Sequence, residues 1–251
     1  MNEVQQALET SAAHLRGLVE NLDTVQLTTQ AYPTKWTIAD VLSHIGSGAV
    51  IMRRSMDAAV DHTTVPDGFN QSVWDEWNAK DPHAKAADSL VADRQLLDRI
   101  AALTDEQRNE FHVNLGPMSL DFSRYIGLRL NEHTMHTWDI EVVFDPGATL
   151  QDEATAVVID NLEVIGRFGG KPDGLERKVI VKTTAPERAY RITTTSDSVS
   201  LEPTTLAEAP DAEMPAEAFI RLVYGRLDRE HTPDGTESAT VESLRSVFRG
   251  I

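Results

Sequence analysis

A chain of 251 residues with 41% hydrophobic and 25% charged side chains has the composition of a packed globular protein, long enough for one large domain or two modest ones. Its 23 Lys and Arg against 40 Asp and Glu give a formal charge of −17, which argues against nucleic acid and anionic membranes as partners, because affinity for both comes from basic side chains. There is no cysteine, so the chain has no disulfide, no thiolate metal ligand and no cysteine nucleophile, and any thiol chemistry needs a thiol from outside.

The opening MNEVQQALETSAAHLRGLVE is polar and amphipathic, without the apolar run of a secretory signal, and no stretch resembles an 18-residue apolar span. A soluble, cytoplasmic protein is expected. Val4, Leu8, Leu15, Leu18, Val19 and Leu22 keep helical spacing and predict a first helix over 2–22. A second begins after AYPTKW, with Thr37 as N-cap and Asp40 three residues on, a weaker form of the capping box. Ile38, Val41, Leu42, Ile45, Ala49 and Met52 mark its apolar face. The polar stretch from Asp61 to Lys85 reads as a connection with a short helix around Trp74 and Trp77, which are expected to pack. A third helix is predicted over 84–103. Pro117 precedes a fourth, from about Ser119 to Phe144, which stops before DPG. Four such helices predict a bundle.

The second half reads differently. A fifth helix is predicted over about 151–166, ending in GRFGGKPDG, which lacks the flanking strand and helix of a phosphate loop. RKVIVKT, AYRITTT and SVSLEP then predict a small antiparallel meander, and PAEAFIRLVYGRL and TVESLRSVF close the chain as helices. The expected division is a four-helix bundle over 1–148 and an α+β domain over 149–251, so the fold class is mainly α with an α+β C-terminal part.

The fourth helix carries the most informative pattern. At 100° per residue Tyr125, Leu128, Glu132, Met135, His136, Asp139 and Val143 share one stripe, apolar except at the three ionisable positions. Burying an isolated carboxylate is costly, so these positions need a partner. A divalent metal is one such partner, because side chains at i and i+4 project together and Glu132 and His136 can serve one ion. Asp139, one turn on, can then accept from the other ring nitrogen of His136. The alternative reading is a carboxylate–imidazole pair within the bundle, or an ion pair with a nearby arginine. His133, about 100° from the stripe, reads as surface. A third ligand must come from another helix, and His44 in WTIADVLSHIGSG is the candidate, although a single histidine at the edge of an apolar face is more often structural. Gly46 and Gly48 beside it would admit another backbone.

The segments WTIADVLSHIG and NEHTMHTWDI resemble the two signatures of the DinB-like superfamily of metal-binding bundles, and within it the mycothiol-dependent maleylpyruvate isomerase family. That family has a tryptophan followed by a helix ending in histidine, then E-x-x-x-H-x-x-D; here these are Trp36, His44, Glu132, His136 and Asp139. The resemblance extends to a small sterol-carrier-like second domain with a GR motif, here RLVYGRL. It implies His44, Glu132 and His136 as metal ligands, with zinc the expected ion, an open fourth position, and Asp139 behind the ligands. It implies that Arg226 of the GR motif is catalytic. Arg226 is placed by periodicity on one helical face with Phe219, Leu222 and Val223, with Arg221 pointing away; a guanidinium there suits a substrate carboxylate, although a salt bridge within the domain is the alternative.

The function implied is a metal- and mycothiol-dependent cis–trans isomerase acting on a maleylpyruvate-like unsaturated acid. The alternatives are a mycothiol S-transferase for electrophiles and a non-catalytic metal- or ligand-binding regulatory protein. A structural polar stripe, with partner binding through the acidic surface, is a further possibility. The expected partners are small molecules, in a monomer or homodimer.

Overall fold

The computed structural model describes residues 2–115, 118–206 and 209–250. The chain divides into two compact units, Met1–Ala148 and Thr149–Ile251.

In the first unit the helices are α1 (Glu3–Val19), α2 (Thr24–Leu27), α3 (Ile38–Val60), α4 (Phe69–Asn78), α5 (Pro82–Ala102), α6 (Asp105–Glu110) and α7 (Phe122–Glu141). The four long ones form a bundle: α3 packs on α5 and α7, and α1 on the same two. Leu15, Val19, Ile38, Val41, Leu42, Ile45 and Ile140 meet in its core, each burying an apolar side chain worth about 1.5–3 kcal/mol. The helix starts are set by side chains. Thr37 Oγ1 accepts the Asp40 N–H at 3.2 Å and Asp40 Oδ2 accepts the Thr37 N–H at 3.0 Å, a reciprocal capping box that fixes where α3 begins.

Gly46 does what its position promised. A Cβ there would lie 2.2 Å from the Trp77 indole and 2.9 Å from Ser89 Cα, so the glycine lets α4 and α5 close onto α3. Trp77 is accordingly buried, while Trp74 is exposed.

The start of the fourth long helix differs from expectation. Met118–Leu120 (β2) pairs antiparallel with Val113–Leu115 (β1), and α7 begins only at Phe122, where Asp121 accepts the Arg124 N–H at 2.8 Å as N-cap. Ser119 therefore lies in a strand. Pro117, expected to precede the helix, falls outside the described residues.

In the second unit the predicted fifth helix is broken into α8 (Asp152–Val158), a 3₁₀ turn at Ile159–Asn161 and α9 (Leu162–Gly169). The break has a local cause: the Tyr190 hydroxyl takes the Ile159 carbonyl at 2.7 Å, and Asn161 Nδ2 donates back to the Val157 carbonyl at 3.3 Å. Burial pushes the Tyr190 phenol up to about 12, so that hydroxyl remains a donor.

Strands β3 (Arg177–Thr184), β4 (Arg188–Thr194) and β5 (Val199–Pro203) form the expected meander, with Val181 opposite Tyr190 and Ile192 opposite Leu201. A fourth strand, β6 (Ala212–Pro215), was not legible and pairs parallel to β3, giving the order β5-β4-β3-β6. Val179, Val181, Tyr190, Ile192, Val199 and Leu201 point to one covered face, where Gly166 of α9 admits Leu201 and the Tyr190 and Phe219 rings lie 5.2 Å apart. Helices α10 (Ala216–Val223) and α11 (Ala239–Arg245) complete the unit. No helix among the described residues is long and apolar enough to cross a membrane.

Candidate metal centre

The site lies between α3 and α7. His44 projects from the second turn of α3, and Glu132 and His136 project one turn apart from α7. His44 Nε2 is 3.1 Å from Glu132 Oε2, His136 Nε2 is 3.6 Å from the same oxygen, and one donor atom from each of the three residues lies within 4.8 Å of the others. The two imidazoles meet edge to face at 4.6 Å, and the Trp36 indole lies against both, at 5.2 and 5.8 Å. Side-chain exposure is 9% for His136, 40% for His44 and 47% for Glu132, so one side of the cluster is anchored and the other is open.

Asp139 sits behind the cluster. It is fully buried, and its Oδ2 lies 2.8 Å from His136 Nδ1. The loop that carries Trp36 is tied to the same point: the Tyr32 N–H donates to the Asp139 carbonyl at 3.1 Å, and the Tyr32 ring meets Trp138 edge to face at 4.9 Å. Within the loop Ala31 N–H bonds the Trp36 carbonyl, and Ile38 N–H bonds that of Thr29. Tyr32 was not singled out from sequence, where nothing distinguishes it from an ordinary loop aromatic.

The electrostatics favour a cation among these groups. Burial opposes ionisation of Glu132, but hydrogen bonds and charge from His136 and His44 outweigh it and hold the carboxyl well below the usual carboxylate range. Burial likewise pulls His136 down, yet Asp139 and then Glu132 raise it above the ordinary imidazole value. Two carboxylates thus favour positive charge at the position where the three donor atoms converge. Two imidazole nitrogens and one carboxylate oxygen are a ligand set suited to zinc, and three protein ligands leave a position for substrate.

The N-terminal domain model of mycothiol maleylpyruvate isomerase matches residues 8–141. The chain belongs to this family. The matched segment contains Trp36, His44, Glu132, His136 and Asp139, and Arg226 lies beyond it. The fold is that of a crystal structure of the mycothiol-dependent maleylpyruvate isomerase, with a TM-score of 0.67 over 95% of this chain and 92% of that one at 13% identity. A mutant of the mycothiol-dependent maleylpyruvate isomerase gives 0.65 over 89% and 88% at 12% identity. At such identity the likeness is one of fold: a DinB-like bundle followed by a small sheet-containing part. No curated protein matches the chain.

Two expectations are corrected. His133 is not on the surface: it is fully buried, with Nδ1 2.8 Å from Ser11 Oγ and Nε2 3.3 Å from Asp93 Oδ2. Arg226 does not continue the face of α10. That helix ends at Val223, Gly225 takes a φ of +70°, and the Gly225 and Arg226 N–H groups bond the Leu222 and Arg221 carbonyls at 2.9 and 2.7 Å, a Schellman close. Arg226 therefore sits just past the helix, where its Nη1 donates to the Tyr224 carbonyl at 2.8 Å. Arg221, expected to point away from the Phe219 face, is buried and bonded to both oxygens of Glu217 at 2.7 and 2.9 Å and to the His231 carbonyl at 2.8 Å.

Proposed function

We propose that the protein is a zinc-dependent enzyme that uses mycothiol to isomerise a maleylpyruvate-like cis-unsaturated keto acid. The observation that carries this reading is the convergence of His44, Glu132 and His136 within 4.8 Å, backed by Asp139, in a chain of this family. His44, Glu132 and His136 hold the ion, Asp139 keeps the His136 ring in one orientation, and Trp36 walls the imidazoles. When bound, the ion supplies the Lewis acidity that keeps a coordinating thiol deprotonated at neutral pH.

The chemistry then belongs to the substrates. The thiolate sulfur adds to one alkene carbon, and the π electrons move onto the keto oxygen as an enolate. The former double bond, now single, rotates; collapse of the enolate restores the alkene in trans form and expels the thiolate. Arg226 would hold a carboxylate of the acid and balance the enolate charge. The absence of cysteine is consistent with a thiol supplied from outside.

The test is elemental analysis of tag-free protein beside His136→Ala, followed by assay with mycothiol and maleylpyruvate. About one zinc per chain, lost in the variant, with formation of the trans isomer is the expected result. Accumulation of a released thiol adduct would instead make the protein an S-transferase. Metal without turnover of any thiol–electrophile pair would leave a binding protein, and failure to take up metal at all would overturn the reading.

A further inference from the structure

A second polar cluster lies within the bundle, on the face of α7 next to the ligands, and none of its members is a ligand. Asp93 of α5 takes Arg129 Nη2 at 2.9 Å on one oxygen and lies 3.3 Å from His133 Nε2 with the other. The same Arg129 Nη2 donates to the Ile45 carbonyl of α3 at 3.0 Å. His133 Nδ1 meets the Ser11 hydroxyl of α1 at 2.8 Å. One network thus touches all four long helices. Ser11, Asp93, Arg129 and His133 are each at most 3% exposed. The order Ser11–His133–Asp93 has the atoms of a nucleophilic relay, but no substrate reaches a serine buried this deeply.

Its placement gives it a different use. Ile45 follows His44 in α3, and Arg129 and His133 interleave with Glu132 and His136 in α7. The two helices that must supply ligands to one point are therefore joined by a charged hydrogen bond one residue from His44 and one turn from Glu132. Gly48 makes room for it: a Cβ there would lie 3.2 Å from Arg129 Nη1. A guanidinium has a fixed fork, so it sets a distance where a flexible ammonium would not.

We propose that Arg129, held by Asp93 and accommodated by Gly48, is a positioning residue that sets the α3–α7 spacing and thereby the approach of His44 to Glu132 and His136. The inference rests on the zinc-site reading above. It predicts that the buried network governs metal affinity in the folded protein, beyond whatever it adds to stability.

The experiment measures zinc affinity by chelator competition, with circular dichroism melting alongside, for the parent, Arg129→Met, Gly48→Ala and Ser11→Ala. Arg129→Met should fold and bind zinc about 10–100-fold more weakly, the range seen when groups behind a metal site are removed. Gly48→Ala removes no polar group and introduces a better helix former. It should keep or raise the melting temperature while weakening zinc binding, a split that a merely stabilising role for Arg129 does not produce. Ser11→Ala cuts only the α1 branch and should lower the melting temperature with affinity unchanged. If Arg129→Met does not fold, Gly48→Ala decides alone. Variants that melt differently but bind zinc as tightly as the parent overturn the positioning role and leave the metal site standing. A parent that takes up no zinc overturns both.

Discussion

His136 Nδ1 lies 2.8 Å from Asp139 Oδ2, and that contact fixes how the imidazole is turned. A carboxylate can only accept, so Nδ1 donates to Asp139 and Nε2 is left facing Glu132 as the atom free to bind a metal. The ring is thus turned as a metal needs it before any metal arrives, and an ion taking Nε2 displaces the proton that Glu132 favours there.

Asp139→Ala should therefore weaken zinc binding about 10–100-fold without abolishing it, whereas loss of His136 itself removes the site. Chelator competition on the two variants checks the ranking; equal losses would mean that Asp139 does more than orient the ring.

Acid should destabilise the first unit through Asp93. Burial disfavours its charge, but His133 and Arg129 outweigh that and hold its carboxyl far below the usual range. A carboxyl whose folded pKa lies below its unfolded value of about 3.9 contributes stability that is complete above that pH and drains as the pH falls toward the folded value. Asp93→Asn should cost about 3–5 kcal/mol at neutral pH, because Arg129 is left buried without its counter-charge. It should also flatten the loss of stability below about pH 4. Urea midpoints measured from pH 7 downward test both parts.

Gly46→Ala should destabilise by about 1–3 kcal/mol, since the new methyl meets the Trp77 ring and the α5 backbone and cannot be accommodated by a side-chain rotation alone. Thermal melting followed by circular dichroism reads the shift.

Glu217→Ala should destabilise the second unit by about 3–5 kcal/mol, because it takes from the buried Arg221 guanidinium the carboxylate that accepts two of its hydrogen bonds. Replacing both together, Glu217→Leu with Arg221→Met, should recover much of the loss. A double variant no better than the single one would show that the other bonds of Arg221, that to the His231 carbonyl among them, carry the stability instead.

Arg226→Ala should abolish turnover with zinc content unchanged, if the residue holds a substrate carboxylate. Loss of metal or of folding in that variant would reassign it to a structural role at the end of α10.

The spacing of Glu132, His136 and Asp139 made the candidate site legible because helix periodicity alone puts i, i+4 and i+7 on one stripe. Apolar periodicity and the Thr37 capping box likewise announced the long helices, since those signals are local. His44 was different: its own helix offered only an edge position, and the resemblance to a family, not the periodicity, singled it out. Arg226 leaves the apolar face because Gly225, with its positive φ, closes α10 at Val223, and the glycine of YGR is the local signal for that close. β6 was hidden for another reason. Four residues ending in proline have too little pattern to announce a strand, and only pairing with β3 makes them one.

The sequence by itself thus determined the four long helices, the three-stranded meander and the stripe of donors on α7, whose signals lie within a few residues of one another. Only the tertiary structure decided that His44 comes within 3.1 Å of Glu132, and that His133 is buried against Asp93 and Ser11. These pairs are separated by 88, 40 and 122 residues of chain. No local propensity encodes such contacts; they exist because the packing of four helices leaves each buried charge one place to find its partner.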